Sequence, residues 1–206
     1  MASDLLGRTN RAFPRAWHSL VLPSDAPEEQ AAGALANAIV RAGSVIDITS
    51  APALWGGLMR GTEALLMIRG GSEIENAPSE KIACDLIQAH LVQILSAIGR
   101  EWIDFYFLQI RDDLPDHQID GALRALENAK QEGHVRHLGI ECLGVADRVL
   151  RLWGRRDAFE VALLHAEDSD LIGHANVRRV GIVATYPGTF TTLTPISDSL
   201  AIGAPA

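Results

Sequence analysis

Cationic excess is the first thing this chain lacks. Eighteen lysines and arginines stand against 26 acidic residues, for a net charge of −8 and a pI near 5.3. Phosphate backbones are held by a cationic face, so this balance argues against nucleic acid, and equally against an anionic membrane surface. No apolar run approaches the roughly 20 residues of a spanning helix. The opening Met1-Ala2-Ser3-Asp4-Leu5-Leu6-Gly7-Arg8 has no signal-peptide hydrophobic region. Cysteine is scarce: Cys84 and Cys142 make neither a disulfide framework nor a metal-ligand spacing, so no metal is expected. A reduced, cytoplasmic setting follows as the simplest expectation. Tyrosine is scarcer than its usual share of a core, and none lies between Ile48 and Trp102.

What is present suits one globular domain. The 206 residues are 48% apolar and 21% charged, enough for a substantial core. Strand and helix signals alternate. Asp25-Ala26-Pro27-Glu28-Glu29 favours a helix start, and residues 31–42 carry helical periodicity up to Gly43. Residues 44–49 and 64–69 read as strands. Residues 79–98 form a long amphipathic helix between Pro78-Ser79-Glu80 and Gly99. Residues 102–109 read as a strand, 116–132 as a helix, 135–142 as a strand, 147–153 as a helix and 159–164 as a strand. A poorly patterned stretch leads to a strand at 180–184. After Pro187 the chain turns to Thr, Ser, Pro and Gly. Strands separated by helical patterns predict βαβ units and a parallel sheet.

Two segments resemble the aldo-keto reductase family. Residues Ile94-Leu95-Ser96-Ala97-Ile98-Gly99-Arg100-Glu101-Trp102-Ile103-Asp104-Phe105-Tyr106-Phe107-Leu108 are similar to its "SL..LG.dyiDlyl" passage. Ala125-Leu126-Glu127 with Gly133-His134-Val135-Arg136-His137-Leu138-Gly139-Ile140 is similar to "aLe....GkvRyiGvS". The resemblance implies a TIM-like (β/α) barrel. A full barrel takes about 250 residues, so an incomplete one is expected: about seven strands, a reduced second helix and no eighth βα unit. Residues 1–188 would form the barrel domain and 189–206 an irregular C-terminal tail, which would fold over the gap or leave it to a second subunit.

The resemblance also locates the family's reacting groups, and this sequence departs at each. The aspartate position falls on Ile48, with Asp47 one step early and expected to face solvent or cap the strand. The tyrosine position falls on Trp55, whose indole donates a hydrogen bond but does not cycle a proton. Arg69 stands for the lysine, charged but hardly deprotonated. Gln109 stands for the histidine and does not titrate. The serine and asparagine that hold nicotinamide correspond to Glu141 and Cys142, and the sixth-strand glutamine to Leu163. The segment that holds the adenosine phosphate would lie beyond Tyr186-Pro187. No cofactor is therefore expected, and NADPH only if its cradle is rebuilt from other residues.

The remaining polar groups are ambiguous. Arg69, Gln109, Glu141, His165 and Tyr186 form a candidate pocket at the barrel mouth for a small molecule. His165 with Glu167 and Asp168 suits acid–base work or a metal, without a recognised spacing for either. His134 and His137 read as solvated turn residues. Gly70-Gly71 lacks the Gly-Lys-Ser/Thr of a phosphate loop, and Trp153-Gly154-Arg155-Arg156-Asp157 reads as a basic connection. The expectation is a reductase-like barrel that does not reduce and serves as a binding, regulatory or accessory subunit, in a homo- or hetero-oligomer. The alternatives are an enzyme of altered non-redox chemistry at the mouth, and a residual NADPH-dependent carbonyl reductase that recruits Tyr186 or Tyr106.

Overall fold

The computed structural model describes residues 5–14, 17–19, 32–33, 45–59, 61–185 and 192–196, with His18 and residues 192–196 by backbone alone. Strands β1 (Trp17–Ser19), β2 (Val45–Asp47), β3 (Leu65–Gly70), β4 (Ile103–Ile110), β5 (Val135–Cys142), β6 (Val161–His165) and β7 (Gly181–Thr185) run in chain order, each parallel to the next. Helices α1 (Pro52–Met59), α2 (Glu80–Ile98), α3 (Asp116–Gln131), α4 (Ala146–Arg155) and α5 (Ser169–Val177) alternate with them. The eight-unit plan is met only in part. The wall between β7 and β1 is closed by β8 (Thr192–Ile196), which runs antiparallel to both. No eighth βα unit occurs among the described residues, and α1 is only 8 residues long. Five residues of the segment read as an irregular tail thus form a strand. The helix expected over 31–42 lies largely outside the described residues.

Period-two alternation sorts the strands into two layers. Trp17, Val45, Met67, Phe105, Phe107, Val161, Leu163 and Val183 point into the barrel and pack as one cluster. Ile46, Ile48, Leu66, Ile68, Tyr106, Leu108, Leu138, Ile140, Ala162, Leu164 and Ile182 point outward against the helices. Gly139 breaks the pattern of large inward residues for a reason. A Cβ there would lie 2.4 Å from the Phe107 ring, so the missing side chain gives Phe107 its place.

The N-terminal ends of the strands are plugged. Leu6 joins the interior cluster, and the Phe13 ring meets Phe105 edge-on at 4.9 Å. Gly7, at φ +49°, passes so close to the start of β7 that a Cβ would sit 2.0 Å from the Gly181 nitrogen. The opposite end, at the C-terminal ends of the strands, is where barrels of this type carry their sites.

Helix α2 is long and apolar enough, by length and composition, to cross a membrane. Its burial shows a different use. Ala83, Cys84, Ile87, Leu91, Ile94 and Ile98 bury one face against the barrel, which is the amphipathic stripe of a packed helix. Ser79 caps its start by accepting from the Ile82 amide, and Gly99 ends it in the left-handed region. Helix α5, within the stretch of poor pattern, is short and interrupted by Gly173, but still buries Leu171, Ile172 and Ala175.

Candidate functional site at the barrel mouth

The alternation that buries Val45 inside the barrel also turns Asp47 inward, two residues on. Asp47 is 1% exposed, and Ile48 lies in the outer layer, fully buried against the helices. Of the two places expected for Asp47, the solvent one is corrected and the capping one is met, since Asp47 accepts from the Thr49 amide at the strand end; Ile48 does not take its place at the mouth. No bulge is needed, because β2 keeps strict period-two geometry to its end. Trp55 is corrected as well. It sits in α1, fully buried in the outer core, with its Nε1 3.5 Å from the Ser50 hydroxyl, and so is a packing residue.

Arg69, Gln109 and Glu141 do converge at the mouth, and Asp47 joins them. Arg69 Nη1 donates to Glu141 Oε1 at 3.2 Å, and Gln109 Nε2 donates to Glu141 Oε2 at 2.9 Å. Gln109 and Glu141 are register partners on β4 and β5. Arg69 Nε stands 2.9 Å from Asp47 Oδ2, an ion pair whose angle falls outside a hydrogen bond. Ser19 donates its hydroxyl to Asp47 Oδ2 at 3.0 Å. Thr49 donates both its amide and its hydroxyl to Asp47 Oδ1, at 3.0 and 2.5 Å, and its oxygen accepts from the Arg69 amide at 2.9 Å. Asp47, placed by the sequence at the strand end but outside the site, and Thr49 complete the cluster. Counting alternate positions inward from Val45 would have found the aspartate.

Burial works against the charge on Arg69, but Asp47 and Glu141 outweigh it and hold the guanidinium more firmly protonated than usual. Burial pushes the Glu141 carboxyl above its ordinary range, and the Arg69 charge and the Gln109 bond only partly oppose this. Two carboxylates thus share one guanidinium. The mouth has no phenol among these residues, and neither Gln109 nor Arg69 exchanges protons readily.

The other candidates are dispersed. Cys142 points outward and is buried, and that burial raises its thiol pKa. Leu163 lies inside the barrel, 2% exposed. His165 is exposed at the end of β6 and makes no hydrogen bond or ion pair to the Arg69 cluster among the described residues. Tyr186 lies outside the described residues. Tyr106 points away from the mouth into the outer core. Its hydroxyl lies 2.8 Å from His90 Nδ1, and burial first, then the Glu73 charge, push it well above the ordinary phenol value. His137 corrects the reading of paired turn histidines. It is 8% exposed, its ring tilts against Phe105 at 5.2 Å, and its Nδ1 lies 3.4 Å from Glu160 Oε1, whereas His134 is exposed.

Glu141, which the resemblance set against the nicotinamide-binding serine, is a buried carboxylate clasped by Arg69 and Gln109. Leu163, which the resemblance set against the sixth-strand glutamine, has an apolar side chain. No group of three or more His, Cys, Asp and Glu able to hold a metal occurs among the described residues.

No family model matches this sequence, and no curated protein matches it. Its fold, however, is shared with solved aldo-keto reductases. An aldo-keto reductase of Bacillus halodurans in holo form aligns over 87% of this chain with a TM-score of 0.71 at 19% identity. A Brucella melitensis aldo-keto reductase covers 88% at 0.69 and 14% identity. A Bombyx mori aldo-keto reductase in complex with NADP covers 98% at 0.67 and 16% identity. The chain spans 64% of the length of the Bacillus protein and about 70% of the other two. At these identities the likeness establishes the aldo-keto reductase type of barrel, as the two sequence segments implied, and establishes the fold alone.

Proposed function

We propose that this chain is an aldo-keto reductase-like barrel that does not reduce carbonyls with NADPH and works as a binding, regulatory or accessory subunit. The observation that carries the reading is the Asp47–Arg69–Glu141–Gln109 cluster. In a reductase of this type a lysine next to an aspartate tunes a phenol, and a histidine orients the carbonyl. Here the cation is an arginine fixed between two carboxylates, and Trp55, which the resemblance set against the phenol, is packed in the outer core. Glu141 adds buried negative charge where an anionic cofactor would approach, which opposes its binding.

Association with a second copy or another protein belongs to the same reading, as does a small ligand at the mouth. Light scattering on the eluting protein is expected to give a mass above 22.2 kDa, or one that rises on adding a cell extract fraction which copurifies stoichiometrically. Steady reduction of a carbonyl panel with NADPH, lost on Gln109→Ala, would sink the proposal. The raised Glu141 carboxyl favours one second reading, proton transfer in a non-redox reaction. Turnover abolished by both Glu141→Gln and His165→Ala, in proteins that stay folded, would support that reading instead.

A further inference from the structure

On the outside of the barrel, helix α4 carries Arg148, Arg151 and Arg155 at spacings of three and four residues, which places them on one face. They line a cleft of about 380 Å³ against the start of α3, floored by Ile119 and Leu152 and containing a single carboxylate, Asp116. Of these three only Arg155 falls in the segment 153–157 read from sequence as a basic connection, while Arg148 and Arg151 fall in the expected helix. Three guanidinium groups around one small cleft are unexpected in a chain of net charge −8.

The partners of these arginines leave donor capacity unused. Arg148 donates Nη1 to the Asp112 carbonyl at 2.9 Å and pairs Nη2 with Asp116 at 3.5 Å, while its buried Nε has no hydrogen-bond partner among the described residues. Arg155 Nη1 reaches Asp116 Oδ2 at 2.9 Å, with both side chains more than half exposed. Such a pair is weak and readily exchanged. Arg151 is exposed and makes no ion pair among the described residues. The first turn of α3 adds the positive end of a 16-residue helix whose N-cap, Pro115, supplies no side-chain acceptor.

We infer that this cleft between α3 and α4 binds the phosphate group of a phosphomonoester. Three guanidinium charges less one carboxylate leave +2, which matches a phosphate dianion of about −1.5 to −2 and exceeds what one carboxylate would balance. Guanidinium forks fit phosphate oxygens in pairs. The apolar floor of Ile119 and Leu152 suits the short organic body of such an ester. Asp116 competes with the ligand for Arg155 and Arg148, so removing its charge strengthens the site. The cleft shares no lining residue with the Asp47–Arg69–Glu141–Gln109 cluster and does not depend on what the mouth does.

The experiment is NMR titration of the arginine Nε–H signals with inorganic phosphate and, separately, glycerol 3-phosphate. Vesicles of phosphatidylcholine with and without phosphatidic acid form a parallel sedimentation arm. Saturable shifts confined to Arg148, Arg151 and Arg155 are expected. Arg151→Ala should weaken binding about tenfold, the scale of one charge-assisted contact, and Asp116→Asn should tighten it several-fold. Asp85→Asn makes the same change in net charge on α2 and should leave binding unaltered. Binding to the soluble esters assigns a free phosphomonoester; binding only to the phosphatidic acid vesicles, with the same variant pattern, assigns a lipid headgroup. Absence of saturable binding in every arm, or equal effects of Asp116→Asn and Asp85→Asn, would overturn the inference.

Discussion

Arg69 is held from two sides, and the two carboxylates that hold it are differently served. Asp47 receives the Ser19 and Thr49 donors as well as the ion pair, whereas among the described residues Glu141 has Arg69 and Gln109. The guanidinium is therefore what keeps Glu141 tolerable in a buried position. Arg69→Met should destabilise the fold by about 3–5 kcal/mol, the cost of leaving buried charge unpaired, measured by urea unfolding. Adding Glu141→Gln and Asp47→Asn to that variant should recover part of the loss. Glu141 also gives the pH profile a definite sign. Its folded pKa is raised above the ordinary 4.5, so the folded state holds its proton longer than the unfolded chain. Its contribution is fully present below 4.5 and is lost as pH rises through the folded value. Unfolding across that window should show this step in the wild type and not in Glu141→Gln.

At the scale of elements, Glu160 ties three of them together. Its carboxylate accepts from Lys130 of α3 at 2.5 Å and from the Leu138 amide of β5, and faces His137, while its carbonyl accepts from Gly181 of β7. Burial works to raise this carboxyl, but the His137 and Lys130 contacts outweigh it and the net shift is downward. The sign is thus opposite to that of Glu141. Stability from Glu160 is present above the ordinary glutamate value and is lost as pH falls through the folded one. Glu160→Gln should lower stability at neutral pH and flatten the acid limb of the unfolding curve. Between β4 and β5, Gly139→Ala should cost about 1–3 kcal/mol through overpacking against Phe107. A double-mutant cycle with Phe107→Leu should show coupling, since the smaller side chain makes room for the new methyl. The elements were largely legible in the sequence, because long apolar strands and capped helices such as Ser79 to Gly99 carry local signals. Which residue of β2 faced inward was not legible from motif alignment, since matching Thr49-Ser50 to a family pair overrides the pleat by one step. The inward turn of His137 depended on the aromatic interior formed by Phe13 and Phe105, which are far from it in sequence. The phosphate-type cleft needed the approach of α3 to α4, which no single segment encodes.

For the whole molecule, the barrel is plugged at one end, closed at the side by an antiparallel strand, and presents at its mouth a cluster of charges that satisfy one another. That arrangement suits a scaffold that binds better than one that cycles protons. The fold is that of the aldo-keto reductases, and the proposal that this chain does not reduce rests on how Asp47, Arg69, Gln109 and Glu141 are joined. Calorimetric titration of the purified protein with NADPH and NADP⁺ tests it most directly. No saturable heat is expected at micromolar protein, for the wild type as for Arg69→Met. Micromolar binding of NADPH, accompanied by reduction of an added carbonyl, would contradict it.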